Sequence, residues 1–341
     1  MRPLPKQAIL VVNAMSRKGA DMFEEARDKL IAAGIDLIEA HGVHDPEQMD
    51  KIICQAIERA PMVIVGGGDG SLSTNVDFFL GKDTVFAILP LGTANSFAGT
   101  LGIPKDIDSA VDVIVNGTRK RIDLGCIDGD YFVNAAAIGL SPLIAETVPH
   151  KLKRYLGMVG YLMWAVRCAV RFRPFRMTVE HEDGRIDKVW ATEARIANGT
   201  HHGGVELVES QEIDSGEIVI QAVTGTSVVG LGWSWFATLF KLTSRHGTTC
   251  EFRGRKLILK TRPRLKISID GEIAAKTPVT VSVARGAIEV AAPREGQFAM
   301  TTSPAGPALL PTVRPQRRVR HGPRGPWLRL RVWRVRRRRG C

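Results

Sequence analysis

The chain has 341 residues, 44% of them hydrophobic and 24% charged, a length and composition that fit two modest domains, each able to bury a core. Its formal net charge is +12, but the last acid is Glu295 and twelve arginines lie between Arg314 and Arg339, so the excess belongs to the C-terminal segment. The remaining body is neutral, which removes the compositional case for specific nucleic-acid binding by the folded part.

Five cysteines, Cys54, Cys126, Cys168, Cys250 and Cys341, stand far apart with no C-x-x-C pair, against a zinc site or a disulfide framework and in favour of a reducing cytoplasm. The N-terminal apolar run is too short for a signal peptide. The longest apolar runs, starting at Tyr155 and Val228, fall short of the roughly 18 residues a spanning helix needs. A cytoplasmic protein is expected, at most peripheral on the inner face of the membrane.

In chain order, the first third alternates strand and helix signals. "AILVV" at 8–12 reads as a strand, 21–33 as a helix and "IDLIE" as a second strand. Asp45-Pro46-Glu47-Gln48 then opens a helix as a capping box, with Pro46 at the first helical position. "MVIV" and "VFAIL" add two buried strands, and a helix over 107–115 stops at Gly117. Such alternation predicts a parallel sheet. From about Lys120 short alternating strands take over: "FRMTVEHEDGRIDKVW" carries an Asp-Gly turn, and "KLILK", "LKISID" and "VTVSV" follow. This half is expected to be mostly antiparallel, with one helix around 151–170. The expected division is an α/β domain over 1–124, a β-rich domain over 125–300 and a disordered Pro/Arg-rich segment over 301–341.

Function concentrates in the loops. In "VIVGGGDGSLSTN" the glycines fall where a strand turns into a helix, read as one continuous run through "SLSTNVDFFL". Gly67, Gly68 and Gly70 let the backbone approach a ligand, and bare amides at a helix start suit phosphate oxygens. Asp69 conflicts with phosphate unless a Mg²⁺ ion lies between them, the usual arrangement for a nucleotide polyphosphate. Neither the Walker lysine pattern nor the dinucleotide glycine spacing fits. A second loop, Pro90-Leu91-Gly92-Thr93-Ala94-Asn95, also leads from a strand into a helix, and Asn13 follows the first strand. All three loops leave the same end of a parallel sheet, where ligands bind in this architecture.

These stretches, with "PLGTANSFAGTLGIP", "RIDLG", "YFVNAAAIG", "KLKRYLGMVGY" and "IDGE", resemble the diacylglycerol kinase catalytic domain of bacterial lipid kinases, relatives of sphingosine and ceramide kinases, from about residue 6 to 300. The resemblance implies a nucleotide-binding head similar to NAD kinases and 6-phosphofructokinases, a β-rich second domain and an active site between them. It further implies transfer of the ATP γ-phosphoryl group to a lipid hydroxyl, with ATP and Mg²⁺ as cofactors and, by analogy with relatives, a homodimer. Asn13, Gly67, Gly68, Gly70, Ser71, Gly92, Thr93 and Asn95 would line the nucleotide site, and Asp69 and Asp214 would serve the metal. Glu272, in Asp270-Gly271-Glu272, would orient and deprotonate the acceptor hydroxyl, with Asp270 beside it. Chemistry alone reads that tripeptide as an exposed turn, and only the resemblance assigns it catalysis.

The chain departs from the family pattern at Asp214-Ser215, where two consecutive acids are usual, and at Thr74, Ser96 and Gly99. Ser215 cannot supply a carboxylate, which motivates a catalytically weak regulatory protein as one alternative. A small-molecule kinase of the NAD kinase type is another, although its Thr-Pro-Thr-Gly-Ser-Thr stretch is absent. His201-His202 reads as loop rather than metal site. Tyr161, Trp164, Trp233, Trp235 and Phe236 suit either an acyl-chain pocket or ordinary core packing. The tail "WLRLRVWRVRRRR" has the composition to adsorb to an anionic membrane surface, to bind RNA nonspecifically or to do neither.

Overall fold

The computed structural model describes residues 2–15, 17–149, 160, 163–199, 201–202, 205–206, 213–224, 249–270, 272–295 and 297. Expectations for the arginine-rich tail, for Tyr161 and for the aromatic run 233–236 lie outside them.

Strands β1 (Gln7–Asn13), β2 (Asp36–Val43), β3 (Met62–Gly67) and β4 (Val85–Pro90) form a parallel sheet in the order β2-β1-β3-β4. Every residue of β3 and β4 is buried, which is why both read as unbroken apolar runs. The helices between and after them are α1 (Arg17–Ala32), α2 (Pro46–Arg59), α3 (Asp69–Asn75), α4 (Ser96–Thr100) and α5 (Ile107–Asn116). Helix α2 starts as its sequence dictates: the Asp45 carboxylate accepts the Glu47 amide at 3.0 Å and Pro46 occupies the first turn. Its Met49, Ile53, Ala56 and Ile57 then reach the core. Helix α5 is capped by Asp106 on the Ser109 amide at 2.8 Å and ends at Gly117.

One local expectation fails. "SLSTNVDFFL" is two pieces, α3 and a 3₁₀ turn over Val76–Phe79. Asn75 donates its side-chain amide to the Ser71 carbonyl at 2.7 Å, competing for the acceptor that sustains the α-helical ladder. The turn that results drops Phe79 onto Phe86, with ring centroids 4.5 Å apart.

The rest is β-rich. It comprises β5 (Thr118–Ile127), β6 (Asp130–Phe132), β7 (Ala135–Gly139), helix α6 (Leu140–Thr147), β8 (Phe175–His181), β9 (Ile186–Ala197), the two-residue pair β10 (His201–His202) and β11 (Val205–Glu206), β12 (Ile218–Thr224), β13 (Thr249–Gly254), β14 (Lys256–Arg262), β15 (Lys266–Ile269), β16 (Glu272–Lys276) and β17 (Val279–Ala292). The pairings among them are antiparallel. A helical segment at 163–171 packs Trp164, Ala165, Cys168 and Ala169 against Leu140, Ile144 and Val223.

Strand β17 joins the two regions. Its first half pairs with β14, its second half lies parallel to β4, and β5 runs antiparallel along both. The register slips between Ala284 and Ile288, where Gly286 has φ 53°. One continuous sheet therefore runs from β2 to β16, with a head core around Ile9, Ile64, Phe86 and Val290 and a second core around Phe132, Ile196, Leu257 and Val281. Among the described residues no helix is long and apolar enough to cross a membrane.

Candidate active site

Three loops leave the carboxyl ends of β1, β3 and β4 side by side. Asn13 ends β1; its side-chain Nδ2 donates to the Ser71 hydroxyl at 2.8 Å, while its side-chain Oδ1 accepts the Met15 amide at 3.2 Å. The first loop is thus tied to the second.

The glycines keep the second and third loops in contact. A Cβ on Gly92 would lie 2.5 Å from the Gly68 Cα and 2.8 Å from the Asn95 side-chain Oδ1, and one on Gly67 would lie 2.8 Å from the Ser71 Cβ. Gly70 is different, with nothing within 4 Å of its would-be Cβ, so it borders open space. A cradle walled by glycine backbone on two sides and open at Gly70 fits a group approaching main-chain amides closely, as phosphate does.

Asn95 folds the third loop. It adopts φ 51°, is buried, accepts the Gly92 amide at 2.8 Å and donates to the Pro90 and Gly92 carbonyls at 3.1 and 3.0 Å. It is therefore a loop-former, with its polar atoms committed to backbone. Thr93 is exposed at the crest of that loop. Asp69, the first residue of α3, accepts the Phe97 amide at 3.1 Å and so links α3 to α4. That bond uses one of the two carboxylate oxygens.

The β-rich region contributes from across the chain. Asp270, at φ 45°, follows the last residue of β15. Its Oδ2 contacts the Ser73 hydroxyl of α3 and accepts the Val133 amide at 3.4 Å, while its own amide donates to the Ala135 carbonyl at 3.3 Å. Burial pushes the Asp270 carboxyl above the ordinary range, the Ser73, Val133 and Ala135 contacts oppose that push, and the charge on Asp69 adds to it. Two acids from opposite ends of the sequence thus share one electrostatic neighbourhood. Glu272 opens β16 with its backbone opposite Ile269, while Gly271 and the Glu272 side chain lie outside the described atoms.

Asp214 is placed elsewhere. It is exposed and pairs with Lys120 of β5 at 3.0 Å. Ser215 contacts the Glu217 backbone, and the Gly216 amide donates to Asp123 at 2.6 Å. Among the described residues no group of three or more metal-ligating side chains forms, and no contact joins Asp214 to Asp69. The acid on which the charge of Asp69 acts is Asp270.

Two residues carry roles that the sequence alone does not announce. Ser73 has a signal, since four residues after Asp69 places both on one helical face. Asp123 is an acid in the middle of a buried strand; its carboxylate takes the Gly216 and Gly286 amides at 2.6 and 2.7 Å. Those partners lie 93 and 163 positions away, beyond any local pattern.

An α/β head whose loop ends meet an acidic hairpin of an antiparallel β-rich region defines the class. Residues 7–127 match the profile described as the diacylglycerol kinase catalytic domain. The matched stretch spans the α/β head and strand β5. It is similar to a diacylglycerol kinase of Staphylococcus saprophyticus subsp. saprophyticus, 25% identical over 240 residues covering 69% of this chain and 77% of that one. A diacylglycerol kinase of Bacillus subtilis is 34% identical over 134 residues, 38% of this chain and 44% of that one. A diacylglycerol kinase crystal structure from Bacillus anthracis str. Sterne shares the fold, with a TM-score of 0.69 and 22% identity over 84% of this chain and 97% of that one.

Proposed function

We propose that the protein is an ATP- and Mg²⁺-dependent lipid kinase that transfers the γ-phosphoryl group to a hydroxyl of a diacylglycerol- or sphingosine-type lipid. The observation that carries this reading is the meeting of the Asp69 glycine loop with the Asp270–Glu272 hairpin through Ser73. A bound metal nucleotide supplies the phosphoryl group and neutralises its charge. The residues of the chain do the rest: the Gly67–Gly70 and Gly92 backbone admits the phosphates, Asp69 holds the cation, and Glu272 orients the acceptor hydroxyl and takes its proton.

The surface next to the β-rich core supports a lipid acceptor. On the helical segment 163–171, Met163, Val166 and Val170 are exposed at 60%, 56% and 70%, a stripe at spacing i, i+3, i+7. Arg167, Arg171, Arg173 and Arg176 are exposed around it, and the sequence holds no acid between Glu146 and Glu180. Apolar side chains flanked by arginines suit the headgroup layer of an anionic bilayer, where a membrane-embedded acceptor is presented.

The test is transfer of γ-labelled phosphate from ATP into mixed micelles containing diacylglycerol, sphingosine, ceramide or phosphatidylglycerol, with and without Mg²⁺. Labelled lipid that disappears in Asp69→Ala and in Glu272→Gln is expected, and the labelled species names the acceptor. Label in a nucleotide product instead would favour a small-molecule kinase. Mg²⁺-ATP binding with no labelled product would indicate a regulatory protein.

A further inference from the structure

Strands β15 and β16 pair with Ile269 opposite Glu272, so a two-residue connection forms the tip of this hairpin. Asp270 has the positive φ that an Asp-Gly tip requires. A tip of this kind has no apolar side chain to bury and is located only by its polar contacts. Here they come from two directions. The carboxyl group of Asp270 meets the Ser73 hydroxyl of α3 and the Val133 amide between β6 and β7, both on Oδ2, and the Asp270 amide bonds to the Ala135 carbonyl at the start of β7. Ser73 lies 197 positions from Asp270 and one helical turn after Asp69.

We propose that Ser73 and Asp270 form a clasp that sets Glu272 against the nucleotide loop, so that Asp270 is a positioning residue acting through Glu272 rather than on the substrate. The proposal rests on the kinase reading above and adds to it a division of labour within the Asp-Gly-Glu turn. Asp69 and Ser73 share one face of one helix, so the element that holds the cation ligand also holds the tip carrying the base. Displacing the tip by about 1 Å is the kind of error that costs up to about 100-fold in turnover.

The chemistry of the contact dictates the variants. Both partners converge on one carboxyl oxygen, so the carbonyl oxygen of an asparagine can replace it, and a threonine can replace the serine hydroxyl. Asp270→Ala and Ser73→Val remove the clasp, while Asp270→Asn and Ser73→Thr keep it. With the acceptor identified by the micelle assay, Asp270→Ala and Ser73→Val are expected to lower kcat about 10- to 100-fold while leaving the KM for ATP within about threefold. Asp270→Asn and Ser73→Thr are expected to stay within about threefold of wild type in both constants. Loss of turnover in Asp270→Asn equal to that in Asp270→Ala would overturn the proposal by assigning the carboxylate charge to the chemistry. Wild-type turnover in Ser73→Val would overturn it by showing the contact idle.

Hydrogen exchange supplies a readout independent of activity. Amides of residues 132–135 and 266–276 are expected to exchange faster in Ser73→Val, and in Ser73→Ala should the valine variant not fold, but not in Ser73→Thr. Unchanged exchange in the clasp-free variants would sink the clasp even if the enzyme is a kinase. Faster exchange with no transfer by wild type would sustain the clasp as a structural link while the kinase reading falls.

Discussion

Asp270 carries two opposed demands: an extended set of hydrogen bonds that favours its charged form, and burial beside Asp69 that disfavours it. Burial dominates, so the folded-state pKa lies above the ordinary 3.8 and the folded protein binds more protons at this residue than the unfolded chain. Stability contributed by Asp270 is therefore fully present below 3.8 and is lost as pH rises toward the folded-state value. Asp270→Asn removes this dependence. Urea denaturation from pH 3.5 to 7 should show wild type losing stability relative to Asp270→Asn as pH rises, and the size of the loss reads out how far the carboxyl is displaced, at about 1.4 kcal/mol for each pH unit. A constant difference across that range would mean that Asp270 is not perturbed. None of this was legible in "IDGE", which reads locally as an exposed turn; what perturbs the acid is first its burial, in a fold that brings it against a helix from the other end of the chain.

At the scale of elements, the loop from β4 to α4 depends on a residue that the sequence marks only as polar. Asn95 holds a left-handed conformation and three backbone hydrogen bonds at once, two of them to Gly92. Asn tolerates that conformation better than alanine, by about 1 kcal/mol, and each buried backbone group left unmet adds about 1–3 kcal/mol. Asn95→Ala is expected to cost about 2–4 kcal/mol in chemical denaturation and to loosen the Gly68–Gly92 contact, weakening nucleotide binding. Asn95→Gly should recover the conformational part and leave the hydrogen-bond part. Element boundaries around this loop were legible, because capping residues, buried runs and glycine stops are local signals. The role of Asn95 was not, since "GTAN" fits a ligand-contacting side chain as well as a loop-forming one. The break of the helix after Asn75 was also missed, because the residue that ends it also fits a helical period.

For the whole molecule the decisive element is β17, a fourteen-residue strand that gives Val279 and Val281 to the second core and Ile288, Val290 and Ala291 to the head core. Alternation in "VTVSV" announced a strand, but its bend and its parallel partner β4 come from contacts 163 and more than two hundred residues apart, which no window of sequence contains. The bend is held by Asp123, which takes the Gly286 amide at the slip in register and the Gly216 amide of the neighbouring turn. Sharing a strand makes the two regions one cooperative unit, and this can be measured because the chain distributes its probes unevenly. All six tryptophans lie at or beyond residue 164, whereas α1 to α5 lie in the head. Trp164 and Trp190, the tryptophans among the described residues, belong to the β-rich side, so their fluorescence follows it, while helical circular dichroism follows chiefly the head. In wild type the two urea transitions should coincide, as expected for a two-state unit. Asp123→Ala leaves one buried and one half-buried amide without their acceptor, at an expected cost of about 2–4 kcal/mol, and the bend is where the shared strand is weakest. The variant should unfold at lower urea, with the fluorescence and dichroism midpoints drawn apart as each core comes to rely on its own half of β17. Separate midpoints already in wild type would show instead that the continuous sheet joins two independent folding units, and the catalytic hairpin would then be held to the nucleotide loop by local contacts such as Ser73–Asp270 alone.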